Sequence, residues 1–89
     1  MEELIIYNLH YKFLEFLLRK PKRCLRDIAT ETDISYLYVS MLYKKFKKSK
    51  LLSVKREGRR LSISLTEKGS FVVNGLKPIV KILEGETNE

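Results

Sequence analysis

Apolar residues at Ile5, Leu9, Phe13, Phe16 and Leu17 recur every three or four positions, which predicts an amphipathic first helix over about residues 4–20. Pro21 limits it, because the residue before a proline disfavours the α conformation. Residues 2–8 read either as its opening turns or as an extended arm. Leu25, Ile28 and Ala29 mark the inner face of a short second helix ending near Thr32. Cys24 precedes it, where a serine or threonine would cap better. Asp33-Ile34 predicts a tight turn, since aspartate tolerates unusual backbone angles. Ser35 then caps a third helix running to about Lys48. Its inward stripe is Val39, Leu42, Tyr43 and Phe46, helped by Ile34. Its opposite face carries Leu37, Ser40, Met41, Lys44 and Lys48, with Tyr36 and Lys47 at the border.

After Ser49 the period changes to two. Leu52 and Val54 point one way, and Leu51, Ser53 and Lys55 the other; Leu61, Ile63 and Leu65 alternate strictly with Ser62, Ser64 and Thr66. Between the two runs, Gly58 supplies the positive φ of a hairpin loop, so residues 51–65 predict a two-stranded hairpin with a basic tip. Thr66 caps a last helix over about residues 67–84, with Glu67 at its positive end. Gly75 and Pro78 are expected to bend or split that helix. Residues 84–89 read as a frayed polar end. The expectation is a single domain over residues 1–89. Its class is mainly α with a small β-hairpin (α+β), in the order helix, helix, helix, strand, strand, helix.

Composition narrows the function. Eighty-nine residues and 10.5 kDa leave room for one modest core. The formal net charge is +7, and its placement matters more than its size. Residues 44–60 hold nine basic residues (Lys44, Lys45, Lys47, Lys48, Lys50, Lys55, Arg56, Arg59, Arg60) against Glu57 alone, for +8. Residues 1–43 sum to zero and residues 61–89 to −1. The basic stretch is interleaved with Phe46, Leu51, Leu52 and Val54, so its charges are fixed on a folded surface, as phosphate neutralisation requires. One cysteine and one histidine exclude an internal disulfide and a structural zinc site. No apolar run approaches the ~20 residues that span a bilayer. Met1-Glu2-Glu3 lacks the basic start of a secretory signal. A cytoplasmic protein without membrane association is expected.

A short helix, a tight turn and a capped second helix make a helix-turn-helix. The run Ile28-Ala29-Thr30-Glu31-Thr32-Asp33-Ile34-Ser35, followed by Val39-Ser40-Met41-Leu42, resembles the helix-turn-helix of winged-helix transcription regulators. Leu65-Thr66-Glu67-Lys68-Gly69 resembles the strand-to-helix junction of MarR-like and PadR-like members. The likeness covers roughly residues 9–77. It departs at Asp33, where many such turns carry glycine.

The resemblance implies a DNA-binding transcription regulator with the third helix in the major groove and the hairpin, the wing, on the adjacent minor groove or backbone. Ser35, Tyr36 and Ser40 then offer hydrogen bonds to base edges or phosphates. Leu37 and Met41 either touch thymine methyl groups or pack sideways on the first helix or a partner. Lys44, Lys47 and Lys48 track the backbone. Lys55, Arg56, Arg59 and Arg60 of the wing straddle phosphates beside the minor groove, either as plain phosphate contacts or with an arginine inserted to read groove width. Arg23 and Arg26, at the start of the second helix, clamp the sugar-phosphate backbone. MarR-like proteins dimerise through terminal helices, which points to Leu4, Ile5, Tyr7, Tyr11, Val73, Val80, Ile82 and Leu83 as the interface of a homodimer. Repression is the expected sense, because so short a chain leaves little room for an activation surface. An architectural DNA binder of weak specificity and a winged-helix protein-interaction module are the competing readings.

Catalysis finds no residue set. His10 lies in the apolar first helix, and no glycine run forms a phosphate-cradling G-x-x-x-x-G-K loop. Cys24, flanked by Arg23 and Arg26, reads as a small inert residue or a redox-sensing thiol. No cofactor or metal is expected, and no small-molecule effector is identified.

Overall fold

The computed structural model describes residues 2–83 and 85, with the side chains of residues 8–83 and 85. Six elements follow in the expected order: α1 (Glu2–Arg19), α2 (Leu25–Thr32), α3 (Tyr36–Lys48), β1 (Leu52–Glu57), β2 (Arg60–Leu65) and α4 (Glu67–Leu83). The chain is helical from Glu2, so the extended-arm alternative for residues 2–8 does not hold.

The helices end where local chemistry ends them. Asp33 closes α2 in the left-handed region at φ 60°, the strained geometry that aspartate accepts in place of glycine. Ser35 caps α3, its hydroxyl accepting from the Tyr38 N–H at 3.2 Å. Thr66 does the same for α4, accepting from the Gly69 N–H at 3.0 Å. Cys24 occupies the extended cap position of α2 (φ −90°, ψ 169°) and makes no side-chain cap bond. Cys24→Ser is therefore expected to stabilise the fold by about 1 kcal/mol. Thermal unfolding should register it as a midpoint about 5 °C higher.

The core is one cluster drawn from every element. Phe13, Leu14, Phe16 and Leu17 of α1 meet Ile28 of α2, Val39, Leu42 and Phe46 of α3, Leu52 and Ile63 of the hairpin, and Val73 of α4. Tyr43, expected on the inward stripe of α3, packs at its edge and is half-buried. Phe46 is the hub of the aromatic packing, with Phe13 at 5.4 Å between ring centroids and His10 edge-on at 5.5 Å. Burial, and then the nearby Lys45 ammonium, hold the His10 pKa below its ordinary value.

The hairpin pairs Leu52 with Leu65, Val54 with Ile63 and Glu57 with Arg60. Gly58 and Arg59 form its two-residue loop. Only Gly58 has a positive φ (66°), the pattern of a type II′ turn. Strict alternation does not hold along β2, where Ser62 is buried and Leu61 only half-buried. A single antiparallel bridge joins Arg23 to Ile63, and the Lys22 N–H donates to Ser64 Oγ at 3.0 Å. The residues before α2 thus run along the free edge of β2.

Two further expectations are corrected. Leu51 is buried rather than turned away, because Lys50 takes a left-handed φ of 63° and the alternation begins only at Leu52. The Leu51 N–H donates to the Phe46 carbonyl and its carbonyl accepts from the Thr66 N–H, both at 2.9 Å. The last helix is not split: α4 continues through Pro78. Proline removes one helical donor, but buried Val73 and Val80 anchor the helix on either side of it.

Candidate nucleic-acid interface

Because α3 buries Val39, Leu42 and Phe46, its opposite face is turned to solvent. There Leu37 is 74% exposed and Tyr36 and Met41 are each 56% exposed. Among the described residues, Leu37 and Met41 thus stand largely open to solvent. Lys44, Lys47 and Lys48 are exposed along the same helix, and the Lys47 ammonium lies 5.7 Å from the centre of the Tyr43 ring. Ser35 is exposed but its hydroxyl is engaged in capping, while Ser40 is half-buried. Lys45 stands apart from this group, close enough to α1 to act on His10.

The wing presents Lys55, Arg56, Arg59 and Arg60, all exposed. The last two do more than project into solvent. Arg59 and Arg60 line a cleft of about 360 Å³ together with Arg26, Cys24, Tyr36 and Leu61. The cleft joins three regions distant in sequence: the start of α2, the start of α3 and the tip of the hairpin. The N-terminal N–H groups of α2 lack a capping side chain at the same place, and a helix start favours negative charge. Three guanidinium groups and a phenol around such an opening suit an anion.

Arg23 does not join this group. Its backbone is committed to the bridge with Ile63, and its Nε is enclosed by protein atoms without a hydrogen-bond partner. Of the two residues expected to clamp at the start of α2, Arg26 lines the cleft and Arg23 does not. Asp27 was not singled out by the sequence. Its carboxylate accepts from the Arg60 guanidinium at 2.6 Å across 33 positions, and no spacing rule connects residues so far apart.

A second opening lies away from these cations. His10, Leu14, Phe46, Leu51, Val72, Leu76, Ile79, Val80 and Leu83 line an apolar groove of about 460 Å³ between α1, α3 and α4. The residues expected to form an interface divide here. Ile82 and Leu83 are exposed, whereas Val73 and Val80 are buried within the chain and Tyr11 is half-buried against the core. Val73 is corrected from interface to interior, since it is fully enclosed in the core, whereas Val80 stands in the wall of the apolar groove. The side chains of Leu4, Ile5 and Tyr7 lie outside those described.

Among the described residues no helix is long and apolar enough to cross a membrane, and no three His, Cys, Asp or Glu side chains group as metal ligands.

No protein-family model matches the chain. An uncharacterised protein of Archaeoglobus fulgidus is 35% identical over 60 residues, covering 67% of this chain and 63% of that protein, so the chain spans just under two thirds of that relative. The crystal structure of a protein from Archaeoglobus fulgidus matches with a TM-score of 0.73 and 27% identity, covering 90% of this chain and 89% of the other. Bordetella bronchiseptica BpsR, whose DNA binding is regulated by 6-hydroxynicotinic acid, matches with a TM-score of 0.82 and 23% identity over 86% of this chain and 57% of its own.

Proposed function

We propose that this chain, which has the winged-helix fold of the MarR-type transcription regulators, is itself a sequence-specific regulator that binds double-stranded DNA. The carrying observation is the free outer face of α3, with hydrogen-bonding Tyr36, apolar Leu37 and Met41, and a row of lysines beside the arginine-lined cleft. An α-helix fits the major groove, where apolar side chains meet thymine methyl groups and phenols meet base edges. Lys44, Lys47 and Lys48 follow the phosphates and set register. Arg59 reaches the minor groove, Lys55 and Arg56 the backbone beside it, and Arg26 the phosphate nearest the start of α2. The protein acts as a homodimer, with the exposed Ile79, Ile82 and Leu83 of α4 in the contact, and represses by covering the DNA it holds.

Selection of bound duplexes from a random pool tests this reading. The expected product is a two-fold site with half-sites about 34 Å apart. With roughly eight phosphate contacts, log K should fall against log salt with a slope near −7. Equal affinity for selected and random duplex would leave only an architectural binder. Absence of binding at low salt would remove nucleic acid altogether.

A further inference from the structure

We propose that Asp27 is a positioning residue for the wing, holding the Arg60 guanidinium so that the hairpin tip, and with it Arg59, stands at a fixed place relative to the outer face of α3. The inference rests on the DNA-binding reading above and concerns how its two contact elements are kept in register.

The hairpin is a two-stranded ribbon, a form that is marginal without outside support. At its base the Arg23–Ile63 bridge ties it to the segment before α2. Beyond Ile63 toward the tip, the Asp27–Arg60 pair is the one polar link to another element among the described residues. Arg60 opens β2 directly opposite Glu57, so gripping it grips both strands where they enter the Gly58-Arg59 loop. The Asp27 side chain is about two-thirds covered, and the 2.6 Å separation is that of a charge-assisted bond. α2 in turn packs on α3, so the link runs from the wing through α2 to the reading helix.

A carboxylate beside a phosphate-binding cleft is unfavourable for DNA by simple charge. That gives the proposal a sign. If Asp27 merely competed with phosphate for Arg60, removing its charge would tighten binding. If it positions the wing, removing it weakens binding although the protein becomes more positive.

The experiment compares wild type, Asp27→Asn, Arg59→Ala and the double variant on a duplex selected from the random pool. Thermal unfolding of each, and ¹⁵N relaxation at Gly58 and Arg59 in the free protein, complete it. Asp27→Asn is expected to weaken binding about tenfold. Arg59→Ala should cost about tenfold in wild type but less than about twofold in the Asp27→Asn background, because a misplaced tip has little left to lose. General loss of stability would not produce that coupling. The two loop amides should gain fast motion once the link is removed. Binding equal to or tighter than wild type in Asp27→Asn, or full additivity with Arg59→Ala, overturns the proposal. If wild type binds no duplex, the functional reading fails separately, and the relaxation data still decide the link: an unchanged wing tip in Asp27→Asn sinks it.

Discussion

Gly69→Ala is expected to destabilise the protein by roughly 3 kcal/mol, lowering the thermal midpoint by about 15 °C. An ideal Cβ at this position falls 2.3 Å from the Leu51 carbonyl oxygen and 3.2 Å from Leu65 Cδ2. The first of these is backbone, and it cannot swing aside. The same carbonyl accepts from the Thr66 N–H, and the Thr66 hydroxyl caps the Gly69 N–H, so retreat would loosen the start of α4 and the entrance to β1 together. Gly75, in the same helix, provides the opposite sign. Nothing lies within 4 Å of a Cβ there, so Gly75→Ala should stabilise by about 0.5–1 kcal/mol through helix propensity alone. Calorimetry of both variants checks the pair. A Gly69→Ala protein as stable as wild type would contradict the close approach of α4 to Leu51.

Reversing Lys44 and Arg59 together to glutamate should reduce affinity for the selected duplex more than about 100-fold at 0.1 M salt. Each reversal removes a phosphate partner and places a repulsive charge in its stead. The salt slope should shrink by about one unit per neutralised contact, so Lys44→Ala and Arg59→Ala each report their own phosphate. Lys12→Glu and Lys77→Glu make the control. Both residues are exposed on other helices, and their joint reversal changes net charge by the same amount. A comparable loss in that control would mean that overall charge governs binding and that the α3 and wing surface has no special part.

Periodicity carried most of the fold. The helical spacing of Val39, Leu42 and Phe46 located the buried side of α3, and therefore its free side. The bounds of α2 follow from Cys24 and Asp33. Where sequence reasoning fell short, the cause was tertiary. Leu51 departs from the strand alternation because a left-handed Lys50 resets the phase. Val73 reads as interface in the sequence because α4 is apolar over more than one stripe, and periodicity does not say which stripe meets the core. The Arg23 bridge and the Asp27–Arg60 pair join positions 40 and 33 residues apart, beyond any local pattern. Of the expected contact residues, the sequence grouped Tyr36, Arg26, Arg59 and Arg60 only as members of separate elements. Their meeting in one cleft is a product of packing.

The backbone of Leu51 works as a clasp. Its nitrogen is tied to the end of α3 and its oxygen to the start of α4, with the wing departing one residue later. No sliding plane is left between those two helices at that corner. A force that tilts the last helix at its origin must either carry α3 along or break one of the two ties.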